Sequence, residues 1–335
     1  MKAVRLHARQ DLRVEDIPLP GAPGPGCVRL KVVVAGICGS DIHNFRTGQW
    51  ITRAPSVAGH EFTGVVTEVG EGVENFAPGD RVVADSRFWC GTCAACVQGQ
   101  HQLCANLGFV GEACDGGFAE QTLLPARLLL KIPDTLAPQV AATAEPFAVA
   151  LHAVRRLRLS AGEPLLVAGC GPIGGFAAVV LAHLGLGPIL VADRNGTRAE
   201  LVARVTGATV VELEPNAIGA ALNGARLAAA IDATGSIAAL QALLGIMPGG
   251  SAIALVGISH GRLELDPNLL VEREISLIGC HAFHDEMPAA IDMLGPCASR
   301  VLALIDSEIT LDEVPAAYAR IVAGACTGLK TLIRI

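Results

Sequence analysis

Residues 163–195, EPLLVAGCGPIGGFAAVVLAHLGLGPILVADRN, constrain this chain more than any other stretch. The apolar run Leu165 to Ala168 has the length and composition of a buried strand. It gives way to Gly169-Cys170-Gly171-Pro172-Ile173-Gly174, then to an apolar helical segment, then to a second strand ending at Asp193. Strand, glycine turn, helix and strand in that order describe a βαβ unit with a site for a dinucleotide. Gly169 permits the tight turn, Gly171 lets a pyrophosphate approach the backbone at the helix N-terminus, and Gly174 lets helix and strand pack closely. Pro172 and Ile173 belong to the same cofactor-binding turn. Asp193 would accept hydrogen bonds from both hydroxyls of an adenosine ribose, which favours NAD over NADP. Arg194 and Arg198, just after it, weigh the other way, because an arginine there can accommodate a 2′-phosphate.

Further βα units follow. A helical segment, RAELVARVTGA, leads to TVVEL, and LAAAIDATGS and GGSAIALVGI each read as a strand ending in a turn. Repetition of this kind builds a parallel sheet with ligand at the C-terminal ends of its strands, where Asp232, Gly235 and Gly257 fall. For Asp232 a solvated loop is an equal alternative. Before residue 142 the pattern differs. Short alternating strands, such as Val28 to Ile37 and Phe62 to Gly70, are separated by Gly and Pro turns and predict a compact, mostly β domain.

Within that domain WCGTCAACVQGQHQLC places Cys90, Cys93, Cys96 and Cys104 in the spacing C-x2-C-x2-C-x7-C. Four thiolates so close in sequence can close a tetrahedron around one Zn2+ and leave no position for substrate, so this is a structural site. It pins a lobe with few apolar residues of its own. A second group, CGSDIH (Cys38 to His43) and AGHE (Ala58 to Glu61), gathers a thiol, two imidazoles, a hydroxyl and two carboxylates. These are residue types that bind zinc and move protons, although taken alone they fit core and surface positions equally well. Glu145, beside Pro146 in an apolar stretch, either caps the following helix or faces a metal; its local context favours the cap.

Composition narrows the function classes. With 335 residues, 51% of them apolar, the chain can bury a core in each of two domains. Its net charge of -7 and the lack of a basic stripe argue against a nucleic-acid partner. No apolar run is long enough to span a bilayer and the N-terminus does not read as a signal peptide, so a cytoplasmic location without membrane association is expected.

Together CGSDIH, GHE, the four-cysteine lobe, EPFAVALHA, GCGPIGG and Asp193 resemble the zinc-dependent medium-chain dehydrogenase/reductase family across essentially the whole chain. The sorbitol dehydrogenase branch of its alcohol and polyol dehydrogenases is the most similar. The resemblance implies a GroES-like β-barrel catalytic domain plus a Rossmann doubly wound parallel sheet. Residues 1–142 and 285–335 would form the first, with the zinc lobe at about 88–106, and residues 143–284 the second. It makes Cys38 and His60 ligands of a catalytic zinc, with Glu61, Glu145 or a water completing the shell and the direct glutamate ligand left open, and so replaces the cap reading of Glu145. Ser40 and His43 match a proton relay. Two zinc ions per chain, NAD, a secondary alcohol, polyol or hydroxy-acid substrate, and a homodimer or homotetramer are implied. Threonine or a simple alcohol is the competing substrate, and a non-enzymatic zinc-lobe module the competing class. Trp50 and Phe109 are pocket candidates.

Overall fold

The computed structural model describes residues 1–326 and 328–335. The N-terminal part is built from β1 (Lys2–Ala8), β2 (Asp11–Asp16), β3 (Cys27–Gly36), α1 (Gly39–Thr47), β4 (Ser56–Val57), β5 (Glu61–Val69), β6 (Arg81–Ala84), β7 (Arg87–Phe88), α2 (Ala94–Val97), β8 (Gly108–Phe109), β9 (Gln121–Pro125) and β10 (Leu129–Lys131). Strand β3 is its spine. One edge pairs antiparallel with β5, from Val28 opposite Val69 to Gly36 opposite Glu61. The first half of β3 also pairs with β9. Alternate residues Val28, Leu30 and Val32 enter a core that includes Phe62, Phe118 and Tyr318, as the two-residue period of a strand requires.

A short helix, α3 (Pro138–Ala141), and a longer one, α4 (Ala144–Leu157), lead into a second unit. It comprises β11 (Leu165–Ala168), α5 (Pro172–His183), β12 (Ile189–Ala192), α6 (Gly196–Thr206), β13 (Thr209–Val210), α7 (Pro215–Leu222), β14 (Ala229–Asp232), α8 (Ile237–Ile246), β15 (Ala252–Leu255), α9 (Pro267–Arg273) and β16 (Ser276–Gly279). The six strands run parallel in the order β13-β12-β11-β14-β15-β16. This is the doubly wound order, which reverses beside β11 and opens a crevice at the strand ends. Leu165 and Val167 face a core with Phe147, Leu151 and Phe176. Leu166 and Ala168 face the other layer, with Leu222, Leu240 and Leu243.

The last elements are α10 (Glu286–Ala303), β17 (Ile305–Ile309), α11 (Val314–Val322) and β18 (Lys330–Arg334). From sequence the amphipathic helix is expected near Met287 to Leu294; α10 continues to Ala303 with Pro296 inside it. Its face of Met287, Ile291, Leu294 and Val301 is buried in the core shared with α4 and α5, and that packing outweighs one lost helix bond. β18 then returns to the first unit, pairing antiparallel with β3 and parallel with β17. Among the described residues no helix is long and apolar enough to cross a membrane.

Candidate metal and cofactor site

The end of β3 and the start of β5 lie side by side, Gly36 opposite Glu61. The chain leaves β3 through Cys38, the extended residue that starts α1, and enters β5 through His60. As a result one donor atom each from Cys38, His60 and Glu61 lies within 4.8 Å of the others. His60 and Glu61 are buried. A thiol, an imidazole and a carboxylate in so small a space fit zinc, which takes sulfur, nitrogen and oxygen ligands. Asp41 holds two of the three: its Oδ2 accepts from the Cys38 N–H at 2.9 Å, and its Oδ1 is 3.4 Å from His60 Nδ1. A carboxylate on the far nitrogen of a histidine fixes the ring for metal binding. Burial works against a charge on His60, but Asp41 and Cys38 outweigh it and raise its pKa well above the usual value.

Glu145 is in the first turn of α4 and does not cap it. Its buried carboxylate accepts from the Ser86 hydroxyl at 2.6 Å, and burial pushes its pKa up to about 7. The local expectation of a helix cap thus gives way to a buried acid that feels the charges of His60, Glu61 and Lys330. Lys330 is the residue that sequence reasoning missed. It is 1% exposed, ion-pairs with Glu61, and donates to the Ile37 carbonyl at 2.8 Å. Its one sequence signal was a lysine opening the short strand KTLIR.

Ser40 Oγ lies 3.4 Å from His60 Nε2. His43 is buried on α1, its Nε2 3.2 Å from Gln49 Oε1 and 3.3 Å from Thr47 Oγ1. The Thr47 hydroxyl already donates to the His43 carbonyl. Both neighbours therefore serve as acceptors and place the ring proton on Nε2. Nδ1 is left as a buried acceptor without a partner among the described residues. Trp50 packs on this ring with centroids 4.1 Å apart, whereas Phe109 packs on His281.

In the lobe the four thiols also lie within 4.8 Å of one another. Cys90 to Cys96 is 4.0 Å and Cys90 to Cys104 is 3.6 Å. A zinc tetrahedron with bonds of about 2.3 Å has edges of about 3.8 Å, so these spacings fit a metal, and they are far too long for a disulfide. Backbone N–H groups of Thr92 and Cys93 draw the Cys90 thiol down to about 5. His101 stacks on Trp89 with centroids 4.2 Å apart.

At the crevice Gly169 adopts φ +90, and a Cβ there would stand 2.9 Å from the Ala233 backbone. A Cβ on Gly174 would meet the Gly169 carbonyl at 1.7 Å, whereas one on Gly171 would meet nothing within 4 Å. The space at Gly171 is on the open side of the turn, where Pro172 and Ile173 begin α5. Asp193 accepts from Cys170 N–H at 2.6 Å and Asn195 N–H at 2.7 Å, which locks turn and acid together. Arg194 is exposed. Arg198 donates to the Cys326 carbonyl at 3.3 Å. Asp232 is not a solvated loop residue: it is buried at the end of β14, accepting from Thr234.

Residues 24–134 match the family described as "Alcohol dehydrogenase GroES-like domain", and residues 172–295 match "Zinc-binding dehydrogenase". Among curated proteins, sorbitol dehydrogenase of Bacillus subtilis (strain 168) is 30% identical over 329 residues, covering 96% of this chain and 93% of that protein. The (R,R)-butanediol dehydrogenase of the same strain is 35% identical over 331 residues, 94% of each. L-threonine 3-dehydrogenase of Edwardsiella ictaluri (strain 93-146) is 32% identical over 289 residues, 84% of each. An Escherichia coli CFT073 protein described as a short chain alcohol dehydrogenase and solved with NADH superposes with a TM-score of 0.92 at 30% identity, covering 100% of this chain and 99% of its own. A proposed zinc-binding dehydrogenase of Sinorhizobium meliloti 1021 solved with NADP gives 0.91 at 29%, with the same coverage.

Proposed function

The chain belongs to the zinc-dependent medium-chain dehydrogenase/reductase family, and from that premise we propose that it oxidises a secondary alcohol of a polyol or vicinal diol with NAD. That it is an oxidoreductase acting on CH–OH groups follows from the family and its named dehydrogenases. The finer reading rests on one observation: Cys38, His60 and Glu61 converge within 4.8 Å, with the buried Glu145 close by.

Zinc bound by these residues supplies a Lewis acid that lowers the pKa of a coordinated hydroxyl, and bound nicotinamide supplies the hydride acceptor. The chain's own residues do the rest. Cys38, His60 and Glu61 are the ligands in this reading, with Glu145 on the side left to substrate. Lys330 offsets the charge of Glu61, so that the two acidic ligands, Cys38 and Glu61, and the nearby Glu145 repel one another less in a buried space. Ser40 is placed to take the hydroxyl proton, and His43 offers its free Nδ1 as an acceptor further along the relay. The proton on Nε2 can then leave through Gln49 and Thr47, both exposed. The turn from Gly169 to Gly174 carries the pyrophosphate, and Asp193 the ribose. NAD is the preferred cofactor because Arg198 is engaged at Cys326, leaving Arg194 alone to meet a 2′-phosphate. The four lobe cysteines hold the second, structural zinc. The reading includes a cytoplasmic enzyme that assembles as a homodimer or homotetramer.

L-Threonine is the second reading, favoured by the match to L-threonine 3-dehydrogenase. Cofactor reduction should be followed with sorbitol, 2,3-butanediol, L-threonine and ethanol, using NAD and NADP in parallel, alongside metal analysis. Fastest turnover with a polyol or diol and NAD, and about two zinc per chain, is the expected result. Threonine as the best substrate selects the second reading, and one zinc per chain removes one of the two sites.

A further inference from the structure

The loop between β15 and α9 belongs to the cofactor unit, yet one of its side chains lies on the first unit. His260 stacks on His43 with ring centroids 4.5 Å apart and planes 6° from parallel. The base of the loop is held by close backbone approaches. A Cβ on Gly257 would be 2.4 Å from the Gly235 nitrogen, and one on Gly235, itself at φ +63, would be 2.5 Å from the Ile258 carbonyl. The loop therefore leaves the end of β15 in a fixed direction, with His260 presented to α1. There the His43 ring is fixed in its plane by Gln49 and Thr47 at Nε2. Trp50, tilted 47°, leans on the ring without lying flat on it. Among the described residues His260 supplies the one parallel contact.

We propose that His260 is a positioning residue for the proton relay: its imidazole lies flat on His43 from the opposite unit and holds that ring so that Nδ1 stays free to receive a proton. The proposal deepens the functional reading above and rests on His43 being the relay base. Its effect is mechanical and electrostatic. A flat contact restricts rotation of the His43 ring out of the plane set by Gln49 and Thr47. Two stacked imidazoles also resist being cationic together, so a charge on His260 disfavours one on His43. Burial lowers the pKa of His43, the Gln49 contact raises it, and His260 and Arg46 both lower it further. These are the charged and titratable groups that face it: Arg46 from its own helix and His260 from the loop.

The test uses the zinc-loaded full-length enzyme with imidazole nitrogens labelled, the His43 signal being assigned by its loss in His43→Gln. His43 is titrated by NMR in wild type, His260→Phe and His260→Ala. Phenylalanine keeps a flat ring and removes the charge; alanine removes both. The expected result is a His43 titration that moves to higher pH in both variants, furthest in His260→Ala, where water also reaches the ring. With the best alcohol from the substrate panel, kcat of His260→Ala falls about tenfold, as expected for a loosened catalytic group. Its low-pH limb moves upward, and His260→Phe recovers most of the rate. In a His43→Gln background His260→Ala should cost nothing further. An unchanged His43 titration in all three proteins would overturn the proposal, as would an equal loss from His260→Ala with and without His43. If His43→Gln itself keeps the wild-type rate and pH profile, the relay reading fails, and the proposal with it. That outcome is told apart from the others because it needs no change at position 260.

Discussion

Lys330 changes how the acidic residues of the metal pocket are understood. A buried carboxylate is costly unless paired, and Glu61 is 1% exposed. Its partner is an equally buried ammonium, raised in pKa by Glu61 and Cys38 against the opposing pull of burial. A Cβ on Gly36 would stand 2.6 Å from Glu61 Oε2 and 2.8 Å from Lys330 Cε, so a side chain at position 36 would wedge the pair apart. Replacing Lys330 by Met leaves Glu61 uncompensated when the catalytic zinc site is empty and is expected to cost about 3–5 kcal/mol, read from urea unfolding of the protein after zinc is removed from that site. Adding Glu61→Gln should recover much of that stability while leaving activity low. Cys38, His60 and Glu61 are legible in the sequence because each is flanked by its motif. Lys330 is not, since its contact with Ile37 spans 293 residues and no local pattern encodes it. Glu145 illustrates the converse. Local context suggests a helix cap, yet its carboxylate turns to Ser86, a partner that only the tertiary arrangement supplies.

Among the elements, the unit from β11 to β12 is the most readable, because its glycines answer to local demands of the backbone and of the cofactor that the motif itself spells out. Those demands differ from one glycine to the next, and the difference can be measured. Gly171 has an ordinary extended conformation, φ -75 and ψ -171, and open space where a Cβ would go. Gly171→Ala should therefore melt within about 2 °C of wild type but bind NAD at least about tenfold more weakly, since the methyl group takes the place of the pyrophosphate. Gly174→Ala drives a methyl into the Gly169 carbonyl and should cost about 1–3 kcal/mol of stability. Scanning calorimetry and NAD titration of both variants check the contrast. Equal melting losses in the two would mean that the open space at Gly171 is illusory. The long α10 was less readable. Its proline argues for a break, and only the buried face shared with α4 and α5 reverses that argument.

At the scale of the whole molecule, the crossing from the cofactor unit to α10 is fastened to the first unit by several polar contacts. Arg87 is buried, paired with Asp85 at 2.7 Å, and donates to the Phe283 and His284 carbonyls at 2.5 and 2.8 Å. His281 and His284 each place Nδ1 3.1 Å from Gln102, in the zinc lobe. The lobe thus holds the segment through which the units are joined, a role that its four cysteines do not reveal in sequence. Arg87→Met should lose about 3–5 kcal/mol through the stranded Asp85 and weaken NAD binding. Asp85→Asn added to it should restore stability without restoring affinity, as calorimetric NAD titration would show. Retained affinity in the double variant would free the crossing from any part in cofactor binding.

The return of β18 to β3 carries a consequence for how the protein is made. The edge of β3 that receives β18 is synthesised long before its partner, and the whole parallel sheet emerges in between. The parallel sheet has its own core and can fold as it leaves the ribosome, while the catalytic sheet waits with the far end of one edge of β3, from Val34 to Gly36, unpaired and Glu61 without its counter-ion. Slow, long-range closure of this kind limits folding rate and exposes a strand to wrong partners. Newly made chains are therefore most prone to aggregate in the interval before Lys330 arrives, and the metal pocket becomes electrically balanced in the same step that closes the sheet.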